Sequence, residues 1–314
     1  MKLALVFPGQ GSQSPGMLRG YAGIPGVHEA LEDAGRILGA EFTTLLDQGP
    51  AEQLDMTVNT QPAMLTGGYA AYLAWRALGG PEPEVVAGHS LGEYTALVAA
   101  GVIPLGDAVR IVRERGRLMQ EAVPVGLGRM VAVIGERLDR ATIEQALQGL
   151  SVTVANDNSP HQVVLSGLVD DVRAAECRLA EGAGGAPLRL APLDVSAPFH
   201  SPLMAPVERA FTAVLEPASA RWEAANAPRV TSNLTGGFHD ADLAALRARL
   251  VRQISRTVCW RSNMQALTER PTRVIEVGPG RPLRGFFKAI GVSVEAITDV
   301  RSADRVLAAE GRAA

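Results

Sequence analysis

Cysteine, lysine and aromatic side chains are scarce in this chain of 314 residues, and each scarcity narrows what it can be. Cys177 and Cys259 are its two cysteines, far apart and outside any CxxC pair, so neither a disulfide framework nor a zinc ribbon is encoded. A reducing, cytoplasmic setting is predicted. Lys2 and Lys288 are the only lysines, which reads as the codon bias of a GC-rich genome rather than as a functional signal. No apolar run reaches the length of a membrane span. The run Leu3–Phe7 is too short for a signal peptide and stops at Pro8. With 30 basic against 33 acidic residues the net charge is −3, which gives no general attraction to nucleic acid or an anionic membrane. HExxH, a Walker loop and paired CxxC motifs are missing, so neither metal nor cofactor is expected. Gly9-Gln10-Gly11 starts like a dinucleotide fingerprint, but Ser14 stands where its third glycine belongs.

What is present is apolar material for a large core: 47% of residues are hydrophobic. Leu3–Phe7 and Glu84–Gly88 read as short buried strands, each entering a tight loop. Helices are predicted over 26–40, 61–78, 91–100 and 104–121. Strands alternating with helices imply an α/β protein with a largely parallel sheet. The middle differs. Strands at 129–135, 151–155, 162–166 and 187–191 and helices at 138–147 and 169–181 follow a β-α-β-β-α-β order, the ferredoxin-like arrangement. Asn156 to Pro160 reads as the turn between the second and third of these strands, and Gly182 to Gly185 as another turn. A strand at Val274–Val277 with a Gly278-Pro279-Gly280 turn closes the pattern. The expected organisation is a catalytic domain from 1–126 and 194–314, with a small insert over 127–193.

The strongest chemical signal is Gly88-His89-Ser90-Leu91-Gly92, a G-x-S-x-G set between a strand and a helix. In a nucleophile elbow both glycines permit a sharp turn that lifts the serine hydroxyl off the sheet. The helix that follows sets its partial positive charge near the reacting oxygen. Serine needs a base. His89 points away from its neighbour, while His28, His161 and His239 stand in polar contexts typical of the surface. His200, in the loop Ser196-Ala197-Pro198-Phe199-His200-Ser201-Pro202, follows the serine in the order of α/β-hydrolase sites. Its orienting partner is open between Asp194 and a backbone carbonyl.

Taken in order, Phe7-Pro8-Gly9-Gln10-Gly11-Ser12-Gln13, Thr60-Gln61-Pro62-Ala63, Gly88 to Tyr94, Arg115-Gly116, Ala197-Pro198-Phe199-His200 and Glu276-Val277-Gly278-Pro279-Gly280 resemble the malonyl-CoA:acyl-carrier-protein transacylases of bacterial type II fatty acid synthesis. The resemblance spans essentially the whole chain. It implies an α/β-hydrolase-like large domain with a ferredoxin-like insert, and malonyl-CoA and holo acyl carrier protein as partners. It implies Ser90 as nucleophile, His200 as base, the N–H groups of Gln10 and Leu91 as oxyanion donors, and the Gln253 carbonyl as the partner of His200. Arg115 would bind the malonyl carboxylate, as a guanidinium fork does well; without the family it is one of several arginines with Arg110, Arg113 and Arg117. His89 and Phe199 would line the substrate site, with Phe199 crowding an α-methyl group by about 1–3 kcal/mol. Arg252, Arg256, Arg261, Arg270, Arg273, Arg281, Arg284 and Lys288, against Glu269 and Glu276, would suit an acidic carrier protein. Polyketide assembly and malonate decarboxylase loading use the same chemistry, and a hydrolase on this scaffold would instead release free malonate.

Overall fold

The computed structural model describes residues 2–124, 126–182, 188–195, 197–270 and 272–310. Their strands are β1 (Lys2–Phe7), β2 (Val85–Gly88), β3 (Gly128–Ile134), β4 (Val152–Ser159), β5 (Gln162–Leu168), β6 (Arg189–Pro192), β7 (Thr272–Val277) and β8 (Val294–Ile297). A parallel sheet runs β2-β1-β7-β8. In β1, alternate side chains feed two cores: Leu3, Leu5 and Phe7 join Val86 and Ile275 on one face, and Ala4 and Val6 join Val85, Ala87 and Val274 on the other. Burial on both faces is why this strand is a continuous apolar run instead of an alternating one. β8 is not among the expected strands, because Glu295 interrupts its apolar signature. The helix Thr57–Ala77 starts four residues before its predicted limit and contains Pro62. Proline leaves the carbonyl four residues earlier without its helical donor; Arg113 Nη1 supplies one, donating to Val58 O at 3.1 Å.

The second sheet is antiparallel, in the order β4-β5-β3-β6. Helices Arg140–Leu147 and Val169–Gly182 cover one face, packing Ile143, Val172, Ala175 and Leu179 on Val131, Val133, Val154 and Leu165. On the other face Met130, Ala132 and Val164 belong to the main core. This is the ferredoxin-like strand order, laid over the edge of an α/β-hydrolase-like sheet. One local expectation fails. Asn156, Asp157 and Asn158 continue β4 to Ser159 through two bulges, so the turn is confined to the residues around Pro160. The Asp157 N–H donates to Val258 O at 3.0 Å, and Val258 N–H to Ala155 O at 2.8 Å, so main-chain pairing overrides the poor strand propensity of these residues. Gly182, expected to open a turn, instead closes the helix Val169–Gly182; the rest of that expected turn and the start of the expected strand at Pro187 lie outside the described residues.

Glu276 explains part of the Glu-Val-Gly-Pro-Gly motif. Its carboxylate accepts the N–H groups of Leu283 and Arg284, each at 2.9 Å, and is fully buried. Burial pushes it up to about 7 against the pull of those two bonds. An amide can serve only one of the two donors and turns an NH2 toward the other. Glu276→Gln is therefore expected to lower unfolding stability by about 1–3 kcal/mol in denaturant titrations, with no change in slope.

Candidate active site

Because β1 and β2 are adjacent and parallel, with Phe7 opposite Gly88, their carboxyl ends deliver Gly9-Gln10 and His89-Ser90 to one place. Sites of open α/β sheets sit at this edge. Gly88 and Gly92 have no room for a side chain. A Cβ on Gly88 would lie 1.9 Å from the Gly92 backbone, and one on Gly92 would lie 2.2 Å from Phe7 O. The turn between them holds Ser90 at φ 51°, and His200 is likewise at φ 55°. Such left-handed conformations cost about 1–3 kcal/mol each and persist only where the surroundings fix them. Asn233 does much of that fixing: its Oδ1 accepts the Ser90 N–H at 2.6 Å, and its Nδ2 donates to Gly88 O at 2.8 Å.

Ser90 Oγ lies 2.7 Å from His200 Nε2, and His200 Nδ1 lies 2.8 Å from the Gln253 carbonyl oxygen. A carbonyl only accepts, so Nδ1 carries the proton and Nε2 offers a lone pair to the serine hydroxyl. Burial, then the nearby Arg115 cation, pushes the His200 imidazole down to about 3. It is neutral in the resting site. Asp194 is exposed, and the bond at Nδ1 goes to the Gln253 carbonyl.

Arg115 is 1% exposed, unlike Arg117 on the same helix, which pairs with Glu114 and Glu121 at the surface. Its recorded side-chain partners are neutral: Gln61 Oε1 at 2.8 Å, Gln253 Oε1 at 2.9 Å and the Tyr94 ring at 5.4 Å. Nη2 stands 3.4 Å from Ser90 Oγ, and the buried Nε has no hydrogen-bond partner. A buried cation held only by amide oxygens and a ring, beside a nucleophile, has the chemistry to receive an anionic group. Ser90, His200, Arg115 and Gln61 line a cavity of about 210 Å3 with Gly9, Gln10, His89 and Phe199, roofed by Met130, Ala132 and Val164 of the second sheet. Within the described residues, neither Gln10 N–H nor Leu91 N–H donates to a recorded acceptor.

The acyl transferase domain family matches residues 4–283. A malonyl CoA-acyl carrier protein transacylase of Escherichia coli K12 is 44% identical over 92% of this chain and 93% of its own length. The chain belongs to this transacylase family. The crystal structure of an acyl-carrier-protein S-malonyltransferase from Burkholderia pseudomallei superposes with a TM-score of 0.89 at 43% identity, covering 98% of this chain and 99% of that one. A malonyl-transacylase in complex with a type II polyketide acyl carrier protein superposes at 0.87 and 39% identity, over 96% and 98% of the two chains.

Gln10, His89, Ser90, Arg115, Phe199 and His200 thus line one cleft, with Gln253 bonded to both Arg115 and His200 and Leu91 next in the chain to Ser90. His89 turns from the serine: its Nε2 meets Asn158 Oδ1 at 2.8 Å and its ring packs edge-on against Trp260. Asn158 reaches it because β4 runs past the expected turn. His28 and His161 are exposed. His239 corrects the expectation of a surface position, because it is buried with Nε2 2.8 Å from Glu93 Oε1. Glu93, Asn158, Asn233 and His239 are absent from the sequence-derived set. Glu93 at least lies within the extended serine motif.

Proposed function

We propose that the protein transfers a malonyl group from malonyl-CoA to the phosphopantetheine thiol of holo acyl carrier protein through an ester on Ser90. The observation that carries this reading is the pairing of the Ser90–His200 dyad with a buried Arg115 that lacks a carboxylate partner. The hydroxyl proton of Ser90 moves to His200 Nε2 as Oγ attacks the thioester carbonyl. The N–H groups of Leu91 and Gln10 stabilise the oxyanion, and its collapse expels the coenzyme A thiolate, which takes the proton from His200. In the second half the carrier thiol gives its proton to His200 and attacks the ester, and Ser90 leaves reprotonated. Arg115 holds the malonyl carboxylate, and Phe199 narrows the cavity beside His200. Fatty acid synthesis is the pathway supplied.

The division into a catalytic domain over 1–126 and 194–314 and an insert over 127–193 is supported by the insert's separate apolar cluster. Exposed Arg252, Arg256, Arg270, Arg281, Arg284 and Lys288 suit an acidic carrier, although Arg273 pairs with Glu295 and Glu276 is buried. A cytoplasmic location accords with the absence, among the described residues, of a helix long and apolar enough to cross a membrane.

Intact mass spectrometry tests the reading. Malonyl-CoA is expected to add one malonyl group to the protein, and holo carrier protein to remove it and gain the same mass. Accumulation of free malonate without an ester would make the protein a hydrolase, and no reaction at all would reject malonyl-CoA as donor.

A further inference from the structure

One buried carboxylate beneath the site has no part in the chemistry above. Glu93 is 1% exposed, and its oxygens face only polar groups that hold the site. Oε2 accepts the Asn233 N–H at 3.1 Å and Gln253 Nε2 at 2.5 Å, while Oε1 meets His239 Nε2 at 2.8 Å. The same Gln253 Nε2 donates to Ser90 O at 3.1 Å, and Gln253 Oε1 accepts from Arg115 Nη2 at 2.9 Å. The Gln253 side chain therefore touches both the nucleophile's peptide and the anion receptor, and Glu93 touches Gln253.

We propose that Glu93 is a positioning residue for malonyl transfer: it fixes the Gln253 side-chain amide in the one orientation that aims both the Leu91 N–H and the Arg115 guanidinium at the substrate. This rests on the transfer reading above.

The orientation follows from donor and acceptor inventory. Glu93 Oε2 accepts from both the Asn233 N–H and Gln253 Nε2, so it selects the NH2 end of the Gln253 amide. Turning that amide over would set Gln253 Oε1 against the Glu93 oxygen and the Ser90 carbonyl oxygen, and its NH2 against a guanidinium. Three attractions would become three repulsions. The Ser90 carbonyl shares a peptide plane with the Leu91 N–H. In a trans peptide the two point in opposite directions, and the cis bond recorded in this chain is elsewhere, at Gly49-Pro50. Pinning Ser90 O from below thus directs the Leu91 N–H upward into the cavity. Glu93 also holds Asn233, which grips the preceding peptide through Ser90 N–H.

The test compares Ser90 acylation rates with malonyl-CoA and acetyl-CoA, read by intact mass in the same preparations, so that loss of folded enzyme cancels in the ratio. Glu93→Gln keeps the side-chain volume. If its oxygen stays on Gln253, its NH2 must face His239 Nε2, which drives the His239 proton to a buried Nδ1 that has no partner. Otherwise its NH2 faces Gln253 and the Asn233 N–H. Both arrangements weaken the lock. Gln253→Ala removes the relay but keeps the backbone carbonyl that His200 uses. Each variant is expected to slow both donors and to lower the malonyl-to-acetyl ratio about tenfold, and the double variant to lower it no further. Glu93→Asp, which withdraws the carboxyl group by one methylene, is expected to give the same shift and replaces Glu93→Gln should that variant not fold. A ratio within twofold of wild type in the Glu93 variants, or multiplying effects in the double variant, overturns the proposal while leaving the transfer reading intact. Failure of the wild type itself to form a malonyl ester removes that reading, and this proposal with it.

Discussion

Ser90→Ala and His200→Ala are each expected to slow malonyl transfer by about 10^4-fold or more, and the double variant is expected to be no slower than the worse of the two. The reason is that the groups act as one unit. Without the His200 Nε2 lone pair, 2.7 Å from Oγ, the serine hydroxyl must ionise unaided. Without Oγ, the imidazole has no proton to take. In serine hydrolases single losses of this kind cost on the order of 10^6-fold and do not multiply. The measurement is the rate of label transfer from malonyl-CoA to holo carrier protein. His200→Ala should still bind malonyl-CoA, because the Arg115 receptor is untouched, and it should form the ester slowly. Ser90→Ala should form none. Losses that multiply would mean that His200 acts on some step other than serine activation, such as holding the donor.

The elbow and the parallel sheet are legible in the sequence because their determinants are local. Gly88, Ser90 and Gly92 lie within five residues, and β1 is a bare apolar run. What supports the site is not local. The Ser90 N–H finds Asn233 across 143 residues, Glu93 finds His239 across 146, and His89 finds Asn158 across 69. Around His239 the run Gly236-Gly237-Phe238-His239-Asp240 has the composition of a surface turn; burial there follows from a carboxylate that only the folded chain brings near. Asn156 to Asn158 have turn-forming side chains, and they become strand because β5 and the Val258 backbone offer a ladder on both sides. Arg115 is an intermediate case. Its helix presents Arg110, Arg113 and Arg117 at similar spacing, and periodicity alone does not say which arginine turns inward. Gly116 contributes to that choice: a Cβ there would lie 2.6 Å from Thr57 O, so this face of the helix packs closely.

Arg115→Met is expected to lower malonyl loading of Ser90 by about 10^2-fold or more while leaving acetyl loading unchanged or faster. A guanidinium bound to a carboxylate makes charge-assisted hydrogen bonds of about 1.5–3 kcal/mol each, and acetyl offers nothing to make them with. Methionine keeps much of the bulk and removes a buried charge whose own pKa burial pulls below its ordinary value. The change reaches His200 as well. Burial is the first cause of its depression to about 3 and the Arg115 cation the second, so the variant's imidazole should titrate higher. With acetyl-CoA as donor, the acid limb of Ser90 acylation should therefore move to higher pH in Arg115→Met. Stability gives an independent reading of the same shift. Below the ordinary histidine value of 6.5 the unfolded chain takes up a proton that folded His200 refuses, so this contribution is intact above pH 6.5 and declines as pH falls toward 3. In the variant the decline should be shallower, because the folded and unfolded values lie closer together. The same logic makes the natural site selective in a second way. A malonyl carboxylate bound there would neutralise Arg115 and lift His200, so the base would be strengthened by the substrate that carries the charge. An acid limb that stays put on removing the guanidinium would mean that burial alone sets the imidazole, and that Arg115 selects its substrate by contact only.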